Sequence, residues 1–228
     1  MVGSAFFGLK SEDREGQEHE ENDSGESENQ KSMMLDVPTP AACYQIMRDM
    51  AMPAHIVRHC EQVCRTALFI SDQLQPSGVI LDRALVGAAA LLHDITKARS
   101  FTTGENHAAT GREDLYRRGY PMVGRIVGQH VVLDEDGGGV IREAWIVNYA
   151  DKRVLHDQIV SLERRMAYIL ERYGQSSLKK SRIRDIWRAV QRLEERLFSR
   201  LAFAPSELKT RVESAPQTEW YREDTWLF

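Results

Sequence analysis

The run ALVGAAALL, Ala84 to Leu92, has no polar face at all. It is too short for a bilayer span, which needs roughly 18–20 apolar residues, so it has to lie inside the protein. His93 and Asp94 follow directly in LLHDITK, and Lys97 comes four residues after His93. A buried carboxylate is costly unless it is paired or bound to a metal ion, and a buried imidazole needs a partner too. The same dipeptide recurs as His156-Asp157 in VLHDQIV. The dipeptide alone therefore decides nothing, and its surroundings must.

From Asp36 onward those surroundings read as helical. TPAACYQIMRDMA starts with Thr39 at the N-cap position and Pro40 at the first helical position. A second helix begins at Pro53 and carries Ile56, Val63, Ala67, Ile70 and Leu74 on one face. Ser77-Gly78 ends it, and Asp82 caps the next helix, which is expected to run through RALVGAAALLHDI with Gly87 to Ala90 permitting close helix packing. TTGEN is a loop, HAATGREDLYRR a helix, and GYP at 119–121 a turn before MVGRIVGQH. After the loop from Asp134 to Gly139, one long helix is expected from about Arg142 to Tyr173, with Gly174 stopping it. A last amphipathic helix spans about Leu178 to Leu201. No run shows sustained strand alternation. The expectation is an all-α fold.

The chain of 228 residues divides by composition into three parts. Ser11 to Ser32 has nine acidic residues against Arg14 and Lys31, a local charge of −7 within a chain of net −4. Without one aliphatic or aromatic side chain, it cannot offset its ordering entropy. Residues 1–36 are thus expected to be a disordered acidic tail, and 37–175 the main helical domain. Residues 176–228 would be a C-terminal helical extension whose aromatic end, TEWYREDTWLF, packs on the domain or a second subunit. Cys43, Cys60 and Cys64 give no disulfide framework, which suits a reducing cytoplasm. No signal peptide is evident.

The ionisable residues at apolar positions carry the chemistry. His59 shares the apolar helix face of Val63 and Ala67. Asp151 lies within AWIVNYA, while His107 and His130 sit beside loops. In order, the series is His59, His93-Asp94, His107, His130, Asp151. Mixed imidazole and carboxylate ligation of this kind suits Fe, Mn, Co, Ni or Zn. A zinc site from His55, His59, Cys60 and Cys64 is disfavoured, because the thiols lie about 100° around the helix from the histidines. LKKSRIR, Leu178 to Arg184, together with Arg164 and Arg165, reads as a solvated face rather than a nucleic-acid surface.

The series resembles the HD superfamily of metal-dependent phosphohydrolases, whose pattern is H…HD…D on a helical bundle. His59 in HIVRHCEQV, His93-Asp94 in LLHDITK and Asp151 in YADK carry the match, over about residues 50 to 173. His107 in ENHAATG and His130 in VGQH fit the longer H…HD…H…H…D form, similar to the binuclear HD-type diadenosine tetraphosphate hydrolases. Gly119-Tyr120-Pro121 precedes His130 and lies outside the HHExxDGxGYP context, so cyclic dinucleotide specificity is not implied.

The resemblance implies an HD-domain helical bundle with two divalent metal ions per chain. The ligands would be His59, His93, Asp94, His107, His130 and Asp151. Asp94 would bridge the ions and orient a water. Lys97, expected on the same helix face as His93, would reach a phosphate oxygen, and Arg153 is a weaker candidate for that contact. His156 lies about 140° around the expected long helix from Asp151 and so cannot join the same ion. The substrate implied is a nucleotide or dinucleoside polyphosphate. The alternatives are an HD-fold diiron oxygenase and a low-turnover nucleotide-binding regulatory module. A cytoplasmic protein with no membrane or nucleic-acid partner is expected, and a homodimer is compatible with it.

Overall fold

The computed structural model describes residues 37–134 and 139–220. The acidic tail, most of the loop after Asp134 and the aromatic end from Tyr221 lie outside the described residues. Helix α1 (Pro40–Asp49) begins as its sequence requires, with Thr39 Oγ1 accepting from the Ala42 amide. Helix α2 (Ala54–Leu74) follows Pro53 and ends at the 3₁₀ turn Gln75–Ser77, where Gly78 takes φ +82°. Helix α3 (Arg83–Leu92) starts at Asp82, whose carboxylate accepts from the Leu85 amide. Every residue from Leu85 to Leu92 is buried.

Helix α2 packs along α3 and along α7 (Glu143–Lys152), enclosing the apolar run between its neighbours. Helices α5 (His107–Arg117) and α6 (Pro121–Val127) pair with each other, and α6 closes against α3. Gly119 at φ +85° makes the turn between them, and Pro121 opens α6. A fully buried Leu or Val stabilises by about 1.5–3 kcal/mol. Leu68, Ile70, Leu91, Leu92, Ile146 and Val147 at the centre of the bundle are all fully buried.

Two expectations about helices fail here. The first is the continuous helix to Ile95. Helix α3 stops at Leu92, the chain turns through His93–Thr96, and α4 (Lys97–Thr103) starts afresh. Lys97 therefore stands at the start of a new helix rather than one turn along the old one. The second is the long helix to Tyr173. Helix α7 ends at Lys152, and a hairpin follows, with β1 (Val154–Leu155) antiparallel to β2 (Gln158–Ile159). Val154, Ile159 and Val160 are buried, and α8 (Leu162–Tyr173) begins only after Ser161. β-Branched residues favour a strand there. The turn lacks the Asn-Gly or Asp-Gly pair that would mark a hairpin in sequence.

Helix α9 (Ser177–Phe198) packs on α8 and α7 through Val190, Leu193 and Leu197, and α10 (Leu208–Ser214) follows. Gly87 has a different role from the helix contact expected of it. A Cβ placed there would meet the Trp220 ring at 2.6 Å, so the glycine makes room for an indole. Among the described residues, no helix is long and apolar enough to cross a membrane.

Candidate metal centre

The six side chains singled out by sequence lie together at the centre of the bundle. His59 comes from the second turn of α2, and His93 and Asp94 from the turn after α3. His107 opens α5, His130 follows α6, and Asp151 sits in the last turn of α7. They fall into two groups, His59–His93–Asp151 and Asp94–His107–His130, each with ligand atoms within 4.8 Å of one another. Asp94 stands between the groups. Its Oδ2 lies 3.4 Å from His93 Nε2 and 3.9 Å from His59 Nε2. Its Oδ1 lies 3.4 Å from Nε2 of both His107 and His130.

Three of the rings are held the same way. His59 Nδ1 is 2.7 Å from the His156 carbonyl, His93 Nδ1 2.8 Å from that of Ala90, and His130 Nδ1 2.7 Å from that of Val127. A carbonyl only accepts, so each Nδ1 carries the proton, and a neutral ring then has its lone pair on Nε2. All three Nε2 atoms turn toward the carboxylates. His93 Nε2 and Asp94 Oδ1 are buried and make no hydrogen bond, a costly arrangement for polar atoms in the interior. These orphaned atoms and free lone pairs fit a set of divalent cations.

The electrostatics agree. Burial pushes the Asp94 carboxyl up, but Lys97, with Nζ 2.7 Å from Oδ2, and His93 hold it well below the usual range. Burial also pushes Asp151 up, against Lys152, His59 and Arg165, which hold it well below the usual range. Burial lowers His59 and His130, and it takes His107 down to about 4. Ionised carboxylates and neutral imidazoles are the forms that bind metal. His93 goes the other way. Burial lowers it, yet Asp94 and Cys60 raise it overall, so the field at its Nε2 favours positive charge.

The supporting residues lie nearby. Thr96 Oγ1 donates to the His107 carbonyl at 2.8 Å, tying α5 to the dyad turn. Asn148 and Lys152 both donate to the His130 carbonyl, and Lys152 Nζ is also 2.6 Å from Asp151 Oδ2. Sequence reading missed Lys152 and Arg165, whose NH2 is 3.6 Å from Asp151 Oδ1. The signal for Lys152 was its place in the same buried stretch as Asp151. None of comparable strength pointed to Arg165.

Arg153 is not brought to the cluster. It is buried, and its guanidinium donates to Val160 O, Tyr149 Oη, Glu194 and Pro205 O, clamping the hairpin to the C-terminal extension. His156 sits in the hairpin turn at φ +55°, not on a helix, so the angular argument about it does not apply. Its carbonyl holds His59, and its ring meets Tyr168 at 5.4 Å. The three cysteines are free and buried, and among the described residues none joins a ligand cluster.

The cluster forms the floor of a cavity of about 710 Å³. Lys97, Lys152 and Arg165 line it near the ligands, and Arg172, Lys179 and Arg182 line it on α8 and α9, along with Phe101, Tyr168 and Trp187. A larger groove of about 890 Å³ runs beside α9 but is lined by none of the six clustered side chains.

Comparison with known proteins matches residues 56–154 to the HD domain family. The chain is also 28% identical over 177 residues to a tRNA (cytidine(56)-2'-O)-methyltransferase of Picrophilus torridus, covering 72% of this chain. It spans 47% of that relative, about half its length. No solved structure matches. The matched stretch, residues 56–154, holds all six clustered side chains, so the metal-ligating part of the chain is similar to the HD domain family.

Proposed function

We propose that the protein hydrolyses a phosphoester or phosphoanhydride bond at a binuclear centre, with a nucleotide or dinucleoside polyphosphate as substrate. The observation that carries this reading is Asp94, which turns one carboxylate oxygen toward His59 and His93 and the other toward His107 and His130. His59, His93 and Asp151 would hold one divalent transition-metal ion, His107 and His130 the other, with Asp94 shared. Such ions supply Lewis acidity and lower the pKa of water enough to give a nucleophile near neutral pH.

The chain's own residues do the rest. Asp94 is kept ionised by Lys97 and His93 and orients the attacking water. Lys97, about a quarter exposed at the cavity wall, contacts a phosphoryl oxygen. The bundle buries the reacting end, which strengthens each of these contacts. Phe101, Tyr168 and Trp187 give the cavity flat apolar surface for a base. The cationic walls favour this reading over an oxygenase. The likeness to a tRNA methyltransferase adds tRNA to the compounds in the screen.

The test is metal analysis of the purified protein, followed by a screen of phosphorylated compounds under Mn, Fe, Co, Ni, Zn and Mg. Two ions per chain and release of inorganic phosphate or a nucleotide are expected. A metal-loaded protein that hydrolyses no phosphorylated compound would remove the reading.

A further inference from the structure

Arg165 stands outside the stretch that matches the HD family and is not one of the six clustered side chains. It lies in the first turn of α8, where Ser161 caps the helix by accepting from the Arg164 amide. Its side chain is only 12% exposed, and its Nε is buried with no hydrogen-bond partner. The head group lines the cavity and stops 3.6 Å from Asp151 Oδ1, beyond hydrogen-bonding distance. A guanidinium has five N–H donors, and leaving the buried Nε unmet is expensive.

Asp151 does not need this second cation. Its Oδ2 already accepts from Lys152 at 2.6 Å, and its Oδ1 faces His59 Nε2 at 3.1 Å. Nor is Arg165 spent on neighbours, as Arg153 is with its four acceptors. Lys97 lines the same cavity, and the charge of Arg165 acts against its own. Two cations brought together beside a ligand cluster, one with donors to spare, are arranged for an anion that enters between them.

We infer that Arg165 is a catalytic residue that grips two non-bridging oxygens of the phosphoryl group, making helix α8, which follows the HD match, part of the active site. This rests on the phosphohydrolase reading. A planar fork matches a phosphoryl group in a way that a lysine cannot. In the reaction, a P–O bond forms from the water oxygen while the bond to the leaving oxygen breaks with its electron pair. The proton lost by water ends on the leaving oxygen or the phosphate product. Its contribution is to stabilise the equatorial charge of the transition state.

The experiment compares the metal-loaded wild type with Arg165→Ala, Arg165→Gln and Arg165→Lys. The readouts are metal content, binding of inorganic phosphate by calorimetry, and turnover. Arg165→Ala and Arg165→Gln should keep their metal, bind phosphate at least about tenfold more weakly, and lose about 100-fold in kcat/KM. Arg165→Lys should recover only part of the loss, and added guanidinium should restore part of the Arg165→Ala activity. Loss of metal in Arg165→Gln and Arg165→Lys would overturn the assignment in favour of a positioning role on Asp151. Phosphate binding equal to wild type in every variant would also overturn it. A metal-loaded wild type that neither binds phosphate nor hydrolyses any phosphate compound would instead sink the phosphohydrolase reading beneath it.

Discussion

His93-Asp94 and His156-Asp157 are the same two residues, and the fold uses them in opposite ways. Both sit in turns, the first directly after α3 and the second between β1 and β2. The first follows a helix sealed by its neighbours, so both side chains are buried at the centre of the cluster. The second lies in a hairpin turn at the cavity rim. There the backbone makes the key contact, through the His156 carbonyl on His59, while Asp157 stays exposed near Arg58. Enclosure, not the dipeptide, decides which atoms become functional.

The comparison breaks most violently at Asp94. Asp94→Ala removes the group shared by both triads and leaves Lys97 without its 2.7 Å partner. Both ions should be lost or bound far more weakly, and kcat should fall by at least about three orders of magnitude. Metal analysis beside turnover checks this. An Asp94→Ala variant that keeps two ions would show that the bridging assignment is wrong.

Half of the cluster can be removed next. His107→Ala together with His130→Ala leaves His59, His93, Asp94 and Asp151 in place. One ion should remain and the second should go, with kcat reduced by about two orders of magnitude. Titration of the apo variant with Mn or Co gives the stoichiometry. Full activity in the double variant, or a wild type that never exceeds one ion, makes the centre mononuclear.

These two tests concern residues that were legible in sequence, and the reason is physical. Imidazoles and carboxylates at apolar helix positions are expensive, so His59, His93-Asp94 and Asp151 stand out against Val63, Leu92 and Ile146 around them. What was not legible is where helices stop. The breaks after Leu92 and after Lys152 depend on tertiary packing, and neither is marked by proline or glycine. Lys97 and His156 were both placed on helices that do not extend to them. Arg165 looked like part of a solvated basic face, because only the fold brings α8 over Asp151. Gly87 was read as a helix contact, since nothing in its own helix announces Trp220.

The second dyad yields smaller effects, which sharpen the contrast. If His156 acts on the cluster only through its carbonyl, the nature of its side chain matters less than its φ of +55°. His156→Gly accepts that backbone freely and should leave metal content unchanged. His156→Val is β-branched and strongly disfavoured at positive φ. It should shift the carbonyl, loosen the His59 ring and weaken metal binding by about 10–100-fold, the usual scale for losing an outer-shell partner. Equal losses in the two variants would mean that the imidazole, not the backbone, does the holding.

Asp157 should matter least of all. Its carboxylate lies 3.8 Å from Arg58 Nε, and both side chains are roughly half exposed, 46% for Asp157 and 57% for Arg58. Solvent screens such a pair, and exposed ion pairs contribute about 0–1 kcal/mol. Its carboxylate also accepts from the Gln158 side-chain amide at 3.3 Å, again at the surface. Asp157→Ala should therefore change stability by no more than about 0.5 kcal/mol and leave both metal content and kcat within a factor of two. The physical reason is that the turn is held from inside, by Val154 and Ile159 packed in the core and paired across the hairpin, and not by the charge at its tip. Chemical denaturation and metal analysis on the same sample measure both quantities. A variant that sheds metal would show that the Asp157 charge fixes the His156 carbonyl, and the two dyads would then be parts of one site rather than opposites.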